Sequence, residues 1–412
     1  MNILFGIIIG LLILMLLVVA HEFGHFIMAR RNGVKVLEFG ICMPPRAVAW
    51  VYKTVEIKDQ NGKPITKKKW VKIPKSEWGK DQDGLIFSLN WLPIGGFCSM
   101  YGESAADKRK DTFGAASFWA KTKILFGGVA MNWLVAFGIL TILAWTGMPQ
   151  FIPNQFYLGN DAKTINTTRS VVVQDVMAGS PAEKAGFAKD DEIIAINGQK
   201  VTNANEVTTF GKEHTGQEVS YIIKRGDEEK TLATKLNPAD AEYALGVSIA
   251  SFGQTFIRST WSAPIVGAGL TVQLTGETFK GLGELVWNLI SGVARQFSFD
   301  DATREEGRVD IGAAGDAVSG PVGIVGVIFP AFASSGLTNL AFLAALISVS
   351  LACMNVLPIP ALDGGRWLLI AIYKLRRKEL TKETEEKIVS RAFMVLLALI
   401  VLVTALDILK FF

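Results

Sequence analysis

The chain has 412 residues, half of them apolar, and a mean hydropathy of +0.32. It is too hydrophobic for an ordinary soluble protein and too charged for a bundle of membrane helices alone, so a few membrane-spanning helices and a water-soluble domain are expected. The net charge of +4 gives no reason to expect nucleic-acid binding, and the three cysteines, Cys42, Cys98 and Cys353, are too far apart for a disulfide framework or a CxxC metal site.

The first predicted transmembrane helix covers residues 1–29. From Ile3 onward the stretch is apolar except for His21, Glu22 and His25, and it is long enough to cross a hydrocarbon core of about 30 Å. A secretory signal peptide is the alternative, but it would need a basic start and a small-residue cleavage site, and neither is present.

The three polar residues of this helix form the pattern H-E-x-x-H. Residues i and i+4 share one face of a helix, so His21 and His25 can bind one metal ion. Zinc suits two neutral imidazoles and one carboxylate, with water in the fourth position, and Glu22 is then placed to take a proton from that water. A polar packing cluster or a proton relay is the alternative, but burying these groups in an apolar helix is costly without such a role.

Residues 30–123 are predicted to be a cytoplasmic loop, followed by a second transmembrane helix over 124–146. Within the loop, the apolar run Ser88–Glu103 is too short to cross a membrane and contains a proline and paired glycines. It is predicted to be a membrane-associated β-hairpin, or else an ordinary hairpin on a cytoplasmic subdomain. We expect an unwound substrate to bind as an added strand, pairing with N–H groups such as those of Phe97 or Ser99.

After a linker over 147–169, residues 170–250 carry the signals of a small α/β domain. Its predicted helix starts, helix end and tight turn are marked by Ser180–Pro181, Asn203, Gly186 and Asn197–Gly198. The string GSPAEKAGFAKDDEIIAINGQKV resembles the PDZ family in the variant found in bacterial proteases. That resemblance implies a domain that binds extended peptides or captures chain ends.

Residues 251–336 are predicted to be a linker. The part from Thr255 to Gly292 is amphipathic, which favours a position on the membrane surface, although a solvent-facing helix packed on the soluble domain is the alternative. The part from Phe299 to Ala317 is rich in glycine and charge and is expected to be a flexible insertion.

The third transmembrane helix is predicted over 337–365 and the fourth over 392–412, joined by a connection over 366–391. Asp363 is the expected third metal ligand, because Pro358 and Pro360 break the helix before it and Gly364–Gly365 permit a close backbone approach. Irregular backbone at membrane depth is tolerated where it lines a polar cavity. The competing residues are Asp407, Glu38 and Glu103, and a helix-capping role for Asp363 is the alternative.

The distribution of charge orients these helices. Residues 30–123 and 366–391 each carry twice as many Lys and Arg as Asp and Glu, whereas acidic residues outnumber basic ones between the second and third helices. By the positive-inside rule the two basic connections face the cytoplasm of an inner, plasma-membrane protein, and the α/β domain is extracytoplasmic.

The ordered combination of these features resembles the site-2 protease family, in its bacterial RseP-type branch of regulated intramembrane proteases. H-E-x-x-H in the first span, a PDZ domain between spans two and three, and N-x-x-P-x-P-x-L-D-G-G after the third carry the resemblance over nearly the whole chain. The implied fold is a polytopic α-helical membrane protein of about four transmembrane helices, with a membrane-associated β-hairpin loop and an inserted extracytoplasmic α/β PDZ domain.

The resemblance also implies roles for single residues. One Zn2+ per chain would be held by His21, His25 and Asp363, with Glu22 as the catalytic base. Substrate-positioning residues would be Asn355, Pro358, Pro360, Gly95, Gly96 and Phe97. The expected substrates are single-span membrane proteins of the anti-sigma factor type or remnant signal peptides, first shortened by an upstream site-1 type protease; membrane lipid is a further partner, and nucleic acid is not.

Three departures from the family pattern concern the range of substrates more than the chemistry. The usual G-F-G-P is Gly40-Ile-Cys-Met-Pro-Pro, Val129 stands where a proline usually precedes Asn132, and residues 53–80 form a basic insertion. The alternatives of another class are a metal transporter or sensor and an inactive PDZ membrane scaffold. Neither explains a glutamate between paired histidines.

Overall fold

A computed structural model describes residues 3–411 apart from 59–63, 79–81, 83, 153, 167–169, 202, 227, 239–240, 242, 253–254 and 318–319. The chain divides into two compact units. The first consists of Met1–Trp145 and Trp261–Phe412, and the second is Thr146–Thr260.

The first unit is mainly helical. Its helices are α1 (Ile3–Arg31), α2 (Phe118–Thr146), α5 (Ala263–Gln296), α6 (Asp301–Ala317), α7 (Pro321–Gly323), α8 (Phe329–Ser334), α9 (Leu337–Val356), α10 (Asp363–Leu375) and α11 (Lys382–Phe411), where α3 and α4 belong to the second unit. A π-helical turn over Ile324–Ile328 joins α7 to α8.

Four helices of the described chain are long and apolar enough to cross a membrane: Ile3–Arg31, Phe118–Thr146, Leu337–Val356 and Lys382–Ala405. They overlap with the four predicted spans, so the expectation of about four long apolar helices is confirmed, although α9 ends at Val356 and not at residue 365, and the fourth begins at Lys382 and not at residue 392. In a long apolar run no side chain can hydrogen-bond to the backbone N–H and C=O groups, so these groups pair with one another in a helix. Composition alone therefore identifies such helices.

The expected flexible insertion over Phe299–Ala317 is wrong, because most of it is helix α6. This helix packs closely on α5, where a Cβ on Gly307 would lie 2.8 Å from the carbonyl oxygen of Gly292. Asp310 of α6 accepts hydrogen bonds from Arg295 at 2.8 Å and Ser291 at 2.9 Å. Gly307, which lies in the segment expected to be flexible, instead permits a close contact between two helices.

A sheet in the first unit contains β1 (Val36–Lys58), β2 (Pro64–Lys72) and β3 (Leu85–Met100), with a short 3-10 turn at Lys75–Glu77. The expected simple hairpin around Pro93–Gly96 is not what forms. Phe39 is the register partner of both Phe87 and Cys98, so the start of β1 lies between the two halves of β3. The second half of β3, Gly96–Met100, is therefore an edge strand, while β2 pairs with the end of β1.

The second unit contains two sheets and two short helices. Its strands are β4 (Met148–Pro149), β5 (Lys163–Asn166), β6 (Ser170–Val176), β7 (Glu192–Ile196), β8 (Gln199–Lys200), β9 (Glu218–Arg225), β10 (Glu228–Lys235), β11 (Val247–Phe252) and β12 (Thr255–Arg258). The main sheet has the order β10-β9-β7-β6-β11, with β8 paired to β7, and the small sheet has the order β4-β12-β5. The helices are α3 (Pro181–Ala185) and α4 (Ala204–Glu213).

The predicted helix caps of this unit are confirmed. The Ser180 side chain accepts a hydrogen bond from the Glu183 N–H, and Gly186 ends α3 in the left-handed conformation with φ of 85°. Asn203 accepts in the same way from the Glu206 N–H at the start of α4. Asn197 and Gly198 both have positive φ, as a type I′ turn requires.

Candidate metal centre

The histidines of the H-E-x-x-H motif face the same point. His21 and His25 lie one turn apart on α1, both are buried, and their Nε2 atoms are 3.1 Å apart. Asp363 Oδ2 lies 3.0 Å from His21 Nε2 and 3.3 Å from His25 Nε2. Three donor atoms from two segments distant in the sequence therefore converge.

The turn between α9 and α10 carries Asp363 to this point. Pro358 and Pro360 lie in that turn, and Asp363 is the first residue of α10. The chain then folds back on itself so tightly that a Cβ on Gly364 would overlap with the Val356 carbonyl group, and one on Gly365 would overlap with Ile359. Only glycine fits at these two positions, as the sequence led us to expect.

Helix α2 orients the imidazole rings. His25 Nδ1 donates to the carbonyl oxygen of Ile124 at 2.8 Å. In a neutral imidazole this leaves a lone pair on Nε2. The amide nitrogen of Asn132 lies 3.3 Å from His21 Nδ1. Asn132 is fixed in turn by Ser348, whose hydroxyl donates to the Asn132 carbonyl oxygen at 2.8 Å.

These contacts make a donor set that fits zinc. Two imidazole nitrogens and one carboxylate oxygen lie 3.0 to 3.3 Å apart, and zinc prefers this combination of imidazole and carboxylate. The outer hydrogen bonds to the far ring nitrogens are the type that orients metal-binding histidines. Neither the Ile124 carbonyl nor the Ser348 hydroxyl could be recognised in the sequence, because nothing in their local pattern marks them.

Glu22 lies beside the donor set. Its carboxylate and the donor atoms of His21 and His25 are all within 4.8 Å of one another. Glu22 also lines a cavity of about 630 Å³ together with Glu38, Pro44, Arg46, Phe97, Cys98, Ser99 and Glu103. A carboxylate next to a metal site and open to a cavity has the position that proton transfer requires.

The edge strand Gly96–Met100 runs past α1 close to Glu22. A Cβ on Gly96 would lie 3.1 Å from a methyl carbon of Val19, and the Phe97 ring fills the space over Gly40. Gly95 has φ of 68°, at the turn into this strand. The N–H of Tyr101 donates to the carbonyl oxygen of Lys35, next to the start of β1, whereas the N–H of Met100 donates to the Glu103 side chain. Along the strand, the N–H groups of odd-numbered residues therefore face β1, and those of even-numbered residues face outward.

The expectation that Phe97 or Ser99 offers its N–H group to a substrate is therefore wrong. The N–H groups of Gly96 and Cys98 face the open edge, and that of Cys98 interacts with the Glu22 carboxylate. Backbone N–H groups point alternately to the two sides of a strand. Which residues face outward depends on the position of the partner strand, and the sequence does not reveal that position.

The competing carboxylates have other partners. Asp407 accepts hydrogen bonds from the N–H groups of Gly320 at 3.1 Å and Gly323 at 2.7 Å, so it caps the start of α7. Glu38 pairs with Arg46, and Glu103 accepts from Met100 N–H at 3.0 Å. Asn355 donates within α9 to the Leu351 carbonyl oxygen at 3.0 Å.

A buried ionic junction follows Asp363 and was not expected from the sequence. Arg366 donates from Nε to Glu385 at 3.2 Å and from Nη2 to the Glu103 carbonyl oxygen. Glu385, which is 4% exposed, also accepts from the Ser104 hydroxyl at 2.9 Å and the Ala105 N–H at 2.8 Å. The junction ties together the loop after β3, the start of α10 and the start of α11.

The inserted unit resembles solved PDZ domains. One from Listeria monocytogenes, described as the PDZ domain of an SdrC-like protein, is 23% identical, with a TM-score of 0.19, and the match covers 20% of this chain and 90% of that domain.

Comparison with known proteins places the whole chain in one family. The sequence profile of Peptidase family M50 matches residues 9–58 and 66–400. The regulator of sigma-W protease RasP of Bacillus subtilis is 27% identical over 455 residues, covering 96% of each chain. The zinc metalloprotease RasP of Oceanobacillus iheyensis is 27% identical over 336 residues, covering 82% of this chain and 70% of that one.

This membership excludes the transporter and scaffold alternatives, since the relatives are named as proteases and the residues of the H-E-x-x-H motif are intact and brought together. The chain belongs to Peptidase family M50, the site-2 protease family, and is a membrane zinc metalloprotease.

Proposed function

We propose that this metalloprotease cleaves peptide bonds within the membrane-spanning segments of single-span proteins, using one zinc ion per chain held by His21, His25 and Asp363. The convergence of three donor atoms within 3.0 to 3.3 Å, two from α1 and one from the start of α10, carries the proposal. The two histidines lie within the first predicted membrane span and Asp363 lies at the end of the third, so the chemistry lies at membrane depth.

Glu22 is the proposed general base. Bound zinc supplies a Lewis acid that polarises the scissile carbonyl group and makes a water molecule more acidic. The Glu22 carboxylate takes the proton from that water and returns it to the leaving nitrogen, because it is the carboxylate beside the donor set that also faces the cavity. His25 and His21 keep their orientation through the Ile124 carbonyl and the Asn132 amide.

The substrate is proposed to bind as an extended strand. A helix hides its peptide bonds, since each carbonyl accepts a hydrogen bond from an N–H one turn on. Opening the helix in lipid exposes backbone groups, each costing several kcal/mol if unpaired. The outward N–H group of Gly96 on the edge strand supplies a partner beside Glu22, while that of Cys98 holds the Glu22 carboxylate. Asn355, Pro358 and Pro360 then hold the other side of the unwound segment.

The direction of the chain in the membrane follows from charge. We place the basic connections 30–123 and 366–391 in the cytoplasm and the inserted unit outside the inner membrane.

The inserted unit is proposed to work as a PDZ domain. A cavity of about 490 Å³ lies between α4 and the edge strand β11 and is lined by Val207, Gly211, Val247 and Ile249 among others. An edge strand beside a helix suits an extended chain end.

The proposed substrates have already been shortened by an upstream site-1 type protease, and they are of the anti-sigma factor or remnant signal peptide type. A relative named as a regulator of sigma-W protease supports the first class. The inserted unit would select shortened substrates by binding their new ends and by excluding bulky outer domains.

The test uses purified full-length protein in lipid nanodiscs with a single-span reporter whose products are mapped by mass spectrometry. We expect about one zinc per chain, cleavage inside the span, loss of cleavage with a chelator, and recovery when zinc is returned. Cleavage that persists after metal removal, or that falls only outside the span, would overturn the proposal.

A further inference from the structure

A groove separate from the metal centre lies beside the far end of α1. It has a volume of about 650 Å³ and is bounded by α1, the start of β1 and the sheet. We call it the α1 groove and define it by Phe26, Arg30, Lys35, Tyr52, Trp70 and Phe87. None of these residues belongs to the donor set or to the Glu22 cavity.

One wall of the α1 groove is aromatic. Tyr52 and Trp70 are register partners on β1 and β2 with ring centroids 4.9 Å apart, and Trp70 lies 5.2 Å from Phe87. Phe26 of α1 completes the wall at 5.8 Å from Phe87. Trp70 is 49% exposed and Tyr52 41% exposed, so these two rings line an open surface, whereas Phe26 is a buried core residue at the base of the groove.

The rim of the α1 groove is cationic. Arg30 and Lys35 are exposed, and neither makes an ion pair with any described residue. Asp111 is the one acidic residue among the described residues that line the groove, so the rim keeps a net positive charge. Arg30 lies over the Phe26 ring at 5.5 Å, which places its charge at the edge of the aromatic wall.

The ribbon formed by the paired strands β1 and β2 carries further positive charge. Lys67, Lys68 and Lys69 precede Trp70 on β2 and are exposed, and Lys69 is the register partner of Lys53. Like charges directly opposite each other destabilise a pair of strands. A negatively charged surface next to the ribbon would offset that repulsion, which a neutral one would not.

We propose that the α1 groove binds an anionic phospholipid of the surrounding membrane. The phosphate lies against Arg30 and Lys35, and an acyl chain lies along Phe26, Phe87 and Trp70. Amphipathic aromatic rings with adjacent basic side chains are the groups that proteins place at the lipid headgroup level. The inference rests on the proposed crossing of the membrane by α1, whose last turn carries Arg30.

The test is native mass spectrometry of the full-length protein released from nanodiscs that contain equal amounts of phosphatidylglycerol and phosphatidylcholine. The wild-type protein should retain phosphatidylglycerol preferentially. A cation near an anionic lipid surface contributes about fivefold to binding, so the double substitution Arg30→Gln with Lys35→Gln should lower that preference by roughly tenfold or more. Trp70→Ala should shorten lipid retention without changing the charge.

The matched control is Arg376→Gln with Lys378→Gln, which removes the same charge from exposed positions of the other basic connection. It should keep the preference, and so should the exchange Arg30→Lys with Lys35→Arg. Equal retention of the two lipids by wild type, or an equal loss in the control, would overturn the inference. The readout needs neither zinc nor cleavage, so a failure of the proposed protease chemistry would be seen separately in the metal content and the reporter assay.

Discussion

Gly24 of α1 and Gly127 of α2 touch backbone to backbone, so closely that a Cβ on Gly24 would overlap with the Gly127 carbonyl oxygen. A Cβ on Gly128, the next residue, would lie 2.6 Å from His21 Nε2 and 2.7 Å from His25 Nε2. This contact between helices brings the Ile124 carbonyl within 2.8 Å of His25. The glycines therefore set the position of the helix that orients the metal-binding rings.

Gly24→Ala should accordingly weaken zinc binding although it touches no donor atom. Overpacking a tight contact costs about 1–3 kcal/mol, and here it must push α2 away from the histidines. Zinc affinity measured by chelator competition should fall at least tenfold. Gly138→Ala on α2 is the control, because a Cβ there meets nothing within 4 Å. Equal affinities for the two variants would show that the glycine contact does not set the ring orientation.

Asp363→Ala should lose most of the bound zinc, because it removes one of three converging donors. Asp407→Asn should keep zinc, because Asp407 caps α7 and lies outside the donor set. Metal analysis of the two purified proteins checks both statements. A fully loaded Asp363→Ala protein with normal affinity would exclude Asp363 as the third ligand.

Glu22→Gln should bind zinc and substrate normally but should not cleave. Glutamine has the same shape, but it cannot take a proton at neutral pH, and loss of a general base costs on the order of a hundredfold or more in rate. The measurement is a single-turnover rate together with metal content. A rate within a few-fold of wild type would place the base elsewhere.

Cys98→Pro should slow cleavage while zinc stays bound, because proline removes the N–H group that bonds to the Glu22 carboxylate at the open edge. Cys98→Ala is the control for the side chain and should cleave at the wild-type rate. Ser99→Pro should instead disturb the sheet itself, since its N–H faces β1, and a lower unfolding temperature would reveal that. If Cys98→Pro cleaves as fast as Cys98→Ala, this N–H group orients neither Glu22 nor a substrate strand.

Removal of residues 170–250 should let unshortened substrates be cut. The strands that flank the deletion, β5 and β12, pair at Asn166 and Thr255, so a short glycine-serine linker can rejoin the chain near that pair. The measurement is the ratio of cleavage rates for full-length and shortened forms of one substrate. That ratio should move towards one, and an unchanged ratio would mean that selection resides in another part of the protein.

Local signals predicted local structure well. Ser180, Gly186 and Asn203 act on backbone groups only a few residues away, so the helix ends of the inserted unit could be predicted from the sequence. The four apolar helices were equally plain. Metal chemistry and the family pattern predicted that His21, His25 and Asp363 lie together, and the structure places their donor atoms side by side.

Contacts between distant segments could not be predicted in this way. The position of β1 between the halves of β3 depends on strand pairing, which reversed the expected roles of Phe97 and Cys98. Gly307 suggested flexibility because its partner helix was unknown. Glu385 was one of several charges in a basic connection, and only the folded chain buries it against Arg366.

The junction at Arg366 has a consequence for where a substrate is cut. Glu103 holds the last N–H of the edge strand with its side chain and binds Arg366 through its carbonyl group, and Arg366 lies one turn after Asp363. The strand that would align the substrate and the turn that would hold the metal are therefore joined by this junction. Under the proposed function, the distance from the aligned residue to the bond that is cut would be constant, and the cleavage position would be set by length along the substrate and not by the side chain at the bond.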